Sequence, residues 1–107
     1  MEVSQYQIVT VNLDPTIRSE IKKTRPCVVI SPDEMNRHLR TIVIAPLTST
    51  RTNYPTRVKV MIEGRVSRIA LDQIRTIDKA RIVKIGNRIS EEEIIELKSI
   101  IRRTYVE

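Results

Sequence analysis

Apolar residues in this chain follow two periods, and the changes of period mark its elements. Over residues 7–13 (QIVTVNL), Val9, Val11 and Leu13 alternate with Ile8, Thr10 and Asn12, which predicts a strand with one apolar face. Residues 26–31 form a second strand, which Pro26 should open because a proline cannot donate to a central ladder. Ser31-Pro32-Asp33-Glu34 reads as a helix start, with Ser31 as N-cap, Pro32 at the first helical position and acids in the first turn. That short helix should end near Leu39. Residues 41–45 (TIVIA) are a continuous apolar run of strand length, and 46–55 (PLTSTRTNYP) read as a polar loop.

Residues 57–62 alternate again, with Arg57, Lys59 and Met61 on one side and Val58, Val60 and Ile62 on the other. Glu63-Gly64-Arg65 is a tight turn that should return residues 66–71 as the second arm of a hairpin. Residues 72–78 (DQIRTID) space Ile74 and Ile77 among polar groups, as a strand end facing a site would. Residues 82–85 form a short strand, and Gly86-Asn87 a turn. At Ser90-Glu91-Glu92-Glu93 the period becomes helical, behind a capping box. The helix should run to about Arg103, with Ile94, Leu97 and Ile101 on its buried face.

Short strands dominate, no strand–helix–strand crossover appears, and one longer helix closes the order. This predicts a mainly β fold with some α, a small antiparallel barrel or strongly bent sheet with a helix packed on it. With 107 residues and no linker or repeat, one domain over 1–107 is expected. The chain has no Phe or Trp and three Tyr, so its core must be aliphatic. Cys27 is the single cysteine, which excludes an intrachain disulfide and a cysteine-built metal site. With no secretion signal and no long apolar run, the expected location is cytoplasmic, without membrane contact.

Charge changes this picture by its distribution. Between residues 35 and 90 lie twelve Lys or Arg and three acids, a local +9 within a total of +6. A basic middle suits nucleic acid or an acidic peptide, or is a solvated face with no partner. His38 is the lone histidine and there are two glycines, so neither a histidine metal cluster nor a glycine-rich phosphate loop can form. The remaining chemistry gathers over residues 13–31 (LDPTIRSEIKKTRPCVVIS). There Ser19, Glu20, Lys22, Lys23, Thr24 and Arg25 lie between a turn-forming Asp14-Pro15 and a β-branched strand.

The segments LDPT, SE, TRP, VVISPDEMN, APLTS and LDQIRTIDK, with the helix after GNRIS, resemble the MazF/PemK (Kid) family of toxin endoribonucleases in order and spacing over nearly the whole chain. The resemblance implies an SH3-like barrel, similar also to the gyrase poison CcdB. It implies a homodimer that cuts single-stranded mRNA at short sequences without a metal or other cofactor. It further implies a cognate antitoxin whose acidic, disordered tail lies across the active site.

The resemblance also carries residue roles. Arg25 of TRP matches the family's catalytic arginine, suited by its planar fork to the charge of a phosphorane. Thr48 of APLTS matches its catalytic threonine, and Glu20 of the SE pair is a candidate general base. Arg18, Ser19, Lys23, Ser49, Asn53, Gln73 and Arg75 are expected substrate contacts, with Asp72, Gln73 and Asp78 either orienting Arg75 or holding its loop. Tyr6-Gln7 replaces a usual Gly-Asp, Thr10 an aromatic, and Arg18 and Arg40 stand at common glycine positions. Two other readings stay open: a non-catalytic small-barrel binding protein for nucleic acid or a protein partner, and a CcdB-like gyrase inhibitor.

Overall fold

The structure, a computed structural model, describes residues 2–13, 23–50 and 54–107. Seven strands pair throughout as antiparallel neighbours: β1 (Gln7–Asn12), β2 (Thr24–Val29), β3 (Thr41–Thr48), β4 (Arg57–Ile62), β5 (Arg65–Ala70), β6 (Arg75–Asp78) and β7 (Ile82–Arg88). Helix α1 (Asp33–His38) joins β2 to β3, and α2 (Glu91–Ile101) follows β7 and continues as a wider turn over Arg102–Val106. The sheet runs β4-β5-β3-β2-β1-β7, with β6 on the first half of β3. It is the bent, mainly antiparallel half-barrel with a terminal helix that the pattern predicts.

Both faces of this sheet are apolar in the middle. Val9 and Val11, Cys27 and Val29, Ile42 and Ile44, and Ile77 and Ile82 form one core on the concave face. Val28, Ala45 and Leu47, Val58 and Val60, Ile69 and Leu71 form the other, which Ile94 and Leu97 of α2 cover. Helix α2 starts as expected. Ser90 Oγ accepts the Glu93 N–H (3.2 Å), and Glu93 Oε1 accepts the Ser90 N–H (2.9 Å). The second Glu93 oxygen accepts the Met61 N–H (2.7 Å), tying the helix start to the outer strand β4.

Four local expectations are corrected. Ser31 does not cap α1; Pro32 occupies the N-cap position, with no side-chain cap bond. Ser31 is buried instead, donating to Asn36 Oδ1 of α1 (2.6 Å) and accepting the Val43 N–H (3.0 Å), so it ties the helix to β3 rather than capping the helix start. Pro26 lies inside β2, two residues after its start at Thr24, for a reason given with the site below. Pro46 lies inside β3, which runs on to Thr48. Val43 faces β2 with both backbone groups, so Pro46, three residues on, faces the far side, where β6 has ended and β5 has not begun. Its missing N–H therefore falls in a gap of the ladder.

Gly86 and Asn87 belong to β7 and do not form a turn. The β1–β7 register slips by one residue around them, a bulge that bends the strand. A Cβ on Gly86 would lie 3.2 Å from the Ile8 carbonyl oxygen, so the close approach of β1 selects glycine.

Positive φ marks two further places. Tyr6 has φ 68°, the conformation a glycine would adopt freely, and its ring is buried against the helix-side core. The left-handed backbone costs about 1–2 kcal/mol at a side-chain-bearing residue, which the buried ring offsets. Glu63 (φ 50°) and Gly64 (φ 77°) form a two-residue hairpin turn that fixes Ile62 opposite Arg65. Arg40 has no positive φ, so losing a glycine there removes no needed conformation.

Candidate active site

Alternation along β2 places Arg25 on the same face as Cys27 and Val29, the concave face. By the same alternation, Thr48 shares that face with Ile42 and Ile44 on β3, and Arg75 shares it with Ile77 on β6. The concave face is thus apolar in its centre, with Arg25 and Thr48 opposite one another towards one end and Arg75 opposite Ile44.

Arg25 is held by the proline that follows it. Val29 C=O accepts the Tyr6 N–H, so odd positions of β2 address β1 and even positions address β3. Continuing the Cys27–Pro46 register by one residue sets Pro26 against Leu47. Proline has no N–H to give the Leu47 carbonyl. The Arg25 side chain supplies the bond instead, Nε donating to that oxygen at 3.3 Å. With Nε engaged, the two terminal nitrogens of the half-buried guanidinium remain to meet a ligand, in the fork geometry that suits phosphate.

Beneath this guanidinium lies Cys27, fully buried, its Sγ donating to the Arg25 carbonyl (3.6 Å). Burial pushes its thiol up to about 11, while the charges of Arg25 and Arg75 pull the other way. Both cations therefore act on one spot from β2 and from β6. Thr48 is fixed by a local turn: its Oγ1 accepts the Thr50 N–H (3.2 Å) and donates to Thr50 Oγ1 (3.0 Å). Ser49 beside it is exposed.

Lys23 is exposed, and its carbonyl accepts the Leu13 N–H (3.1 Å). With Asn12 paired to Thr24, this bond extends the β1–β2 ladder to Leu13 and Lys23. Arg18, Ser19, Glu20 and Asn53 lie outside the described residues.

Of the two roles open to Asp72 and Asp78, they hold the chain locally and do not orient Arg75. The chain makes a 3-10 turn at Leu71–Gln73, and Leu71 N–H bonds the Thr56 carbonyl (3.1 Å), which carries Asp72 back over the start of β4. There Asp72 accepts from Arg57 Nε (2.8 Å), Arg57 Nη2 (3.2 Å) and Thr56 Oγ1 (3.0 Å). The Arg57 hydrogen bond holds the Asp72 carboxyl below the usual carboxylate range. Asp78 accepts the Ala80 N–H (2.8 Å) and lies 3.9 Å from Arg40. Gln73 is exposed on the turn, and Arg75 is exposed with no hydrogen bond or ion pair among the described residues.

Sequence reasoning missed two neighbours of this face, Lys59 and Arg68. Arg68 is paired in register with Thr48, and Lys59 with Arg68. Tyr54 is half exposed, with the Arg57 guanidinium 5.1 Å from its ring centre. The signal for Lys59 and Arg68 was present, because a two-residue turn at Glu63-Gly64 sets the hairpin register. A groove of about 610 Å³ on the reverse face, lined by Ile8, Thr10, Pro26, Met61 and Lys84 among others, contains none of the predicted site residues.

The family described as PemK-like, MazF-like toxins of type II toxin–antitoxin systems matches residues 4–105. The chain belongs to this family. Among its relatives, "Endoribonuclease MazF" of Staphylococcus epidermidis is 31% identical over 84% of this chain and 80% of its own. "Endoribonuclease EndoA" of Bacillus subtilis (strain 168) is 35% identical over 77% and 76%. The fold matches a MazE-MazF crystal structure from Deinococcus radiodurans with a TM-score of 0.80, at 21% identity over 96% of this chain and 95% of that one. It also matches an endoribonuclease in complex with its cognate antitoxin from a mycobacterial species, with a TM-score of 0.79 at 19% identity over 94% and 92%. Membership in a family of this name does not favour the gyrase-inhibitor and non-catalytic readings.

Proposed function

We propose that this MazF/PemK-family protein is a sequence-specific endoribonuclease toxin that cuts single-stranded mRNA and is restrained by a cognate antitoxin. The observation that carries the site is the anchoring of Arg25 by Leu47 beside Thr48, with Arg75 on the same face. In this reading residues 1–107 act as one domain, the protein works in the cytoplasm as a homodimer, and the antitoxin's acidic tail competes with RNA for the basic face.

Cleavage proceeds by attack of the ribose 2′-oxygen on the adjacent phosphorus. The P–O2′ bond forms, the P–O5′ bond breaks, and the 5′-oxygen leaves with a proton taken from water. Arg25 donates from its free nitrogens to the phosphorane oxygens, where charge builds up. Thr48 turns its hydroxyl proton from Thr50 Oγ1 to a phosphate oxygen, and Arg75 adds a further positive charge. Glu20 takes the 2′-proton as general base. Arg18, Ser19, Lys23, Ser49, Asn53 and Gln73 contact the RNA around the cut. No step asks for a metal or other cofactor.

The test incubates the purified protein and its Arg25→Ala variant with long single-stranded RNA in excess EDTA and maps the new ends. Cuts at a short recurring sequence, with 2′,3′-cyclic phosphate or 3′-phosphate ends and absent in the variant, are expected. Full activity in the variant removes Arg25 from the mechanism. RNA binding without cutting by the folded, antitoxin-free protein overturns the enzyme reading.

A further inference from the structure

The strand registers align four polar side chains in one row across the sheet. Lys59 on β4 is opposite Arg68 on β5, and Arg68 is opposite Thr48 on β3. The β2–β3 register, continued from Cys27–Pro46, sets Arg25 opposite Thr48. Strand spacing is about 4.8 Å, so the row Arg25–Thr48–Arg68–Lys59 spans about 14 Å between its outer backbones. Residues directly opposite one another project from one face. On the hairpin this is the face turned away from Val58, Val60 and Ile69, which belong to the helix-side core.

Two features of the outer half of the row point to an anion. Like charges directly opposite one another destabilise a strand pair, yet Lys59 and Arg68 occupy that arrangement. Arg68 is also tied toward the predicted site, since its Nη1 donates to the Thr50 carbonyl (3.3 Å) just beyond Thr48. Lys59 is exposed and Arg68 half buried, so an extended polyanion crossing Arg25 and Thr48 would meet both next.

We propose that Lys59 and Arg68 form a phosphate subsite that holds the RNA backbone on one flank of the scissile bond. It extends the RNA path from the cutting corner onto the β4–β5 hairpin. The proposal rests on the reading of Arg25 and Thr48 as contacts of the scissile phosphate. Its contribution is to affinity and register rather than to the chemical step, because phosphate contacts position nucleic acid without reading its sequence.

The test compares wild type with Lys59→Gln/Arg68→Gln and with the charge-preserving swap Lys59→Arg/Arg68→Lys. For a long RNA, the Gln pair should raise KM about 10- to 100-fold at moderate salt, with kcat changed less than about threefold. The slope of log(kcat/KM) against log salt should become shallower by about 1.4, the value for two lost contacts on a single strand. The swap should keep the wild-type slope. In oligonucleotides shortened from one end of the mapped cut, wild type and the Gln pair should become equal, and the end that abolishes the difference identifies the flank. An unchanged KM and slope in the Gln pair, or a fall confined to kcat, overturns the subsite. If wild type cuts no RNA, the function reading fails separately. Binding to an RNA of the same length, followed by anisotropy across salt, then decides the subsite by the same slope difference.

Discussion

Two arginines near one end of the sheet have opposite fates. Arg57 is pinned: its side chain is 9% exposed, Asp72 takes two of its hydrogen bonds, and the guanidinium lies beside the Tyr54 ring. Arg25 is held instead by a single 3.3 Å bond among the described residues, to a neutral carbonyl. Among the described residues, no carboxylate meets Arg25 or Arg75. A carboxylate consumes the charge of the arginine it positions, whereas a carbonyl positions the arginine and leaves its charge for a ligand. One corner closes the fold where the hairpin meets the 3-10 turn, and the other holds two cations that no carboxylate among the described residues neutralises.

Removing Arg25 should break the comparison most severely. Arg25→Ala should lower kcat by about 10²- to 10³-fold, as for the loss of one donor to a developing oxyanion, while its circular dichroism and melting stay near wild type. A sharper probe changes only how Arg25 is held. In Pro26→Ala the new backbone N–H competes for the Leu47 carbonyl and releases Nε, so kcat should fall about tenfold through lost orientation. The added ladder bond and the lost proline rigidity oppose each other, so stability should move by less than about 1 kcal/mol. A large loss of stability with unchanged kcat would show that the proline matters only for folding.

The pinned corner should respond the other way round. Asp72→Asn should cost about 1–2 kcal/mol of stability in urea unfolding at neutral pH, because Arg57 loses its anion while little exposed, and kcat should change less than about twofold. The Asp72 carboxyl titrates lower in the folded chain than in the unfolded one. Its contribution is therefore complete above the unfolded value near 4 and disappears as pH falls through the lower folded value. The stability difference between wild type and variant should shrink over that acid range. The smallest effect is the most local. Since Arg25 and Arg75 both lower the Cys27 titration, Arg75→Gln should move it further up from about 11, read by thiolate absorbance. No upward shift would mean that Arg75 does not act on that spot.

Much of the fold was legible because period and capping chemistry are local. The alternation of Val9 and Val11, the stripe of Ile94 and Leu97, and the Ser90–Glu93 box all read directly. The prolines misled because the rule against proline in strands assumes that every position needs its N–H. Pro46 falls where β3 changes partner, and Pro26 has its donor replaced by a side chain. Ser31 misled because Asn36 and Val43 compete for a hydroxyl that sequence assigns to a cap. Of the candidate site, the motifs singled out Arg25, Thr48 and Arg75 but not what holds them. Asp72 appeared to belong to Arg75 because the two are near in sequence, while the 3-10 turn sends it to Arg57. The Lys59–Arg68–Thr48 row joins three separate strands, so only their register reveals it.

The two oxygens of Glu93 do separate work, one completing the cap of α2 and the other binding the Met61 N–H. Among the described residues strand β4 pairs only with β5, so Met61 offers that N–H from an edge of the sheet. An open edge invites strands from other molecules to add on, which is a route to aggregation. By covering that donor with its own helix, the chain blunts the hairpin edge against self-association at this point, while the basic face on the other side of the same strands stays open.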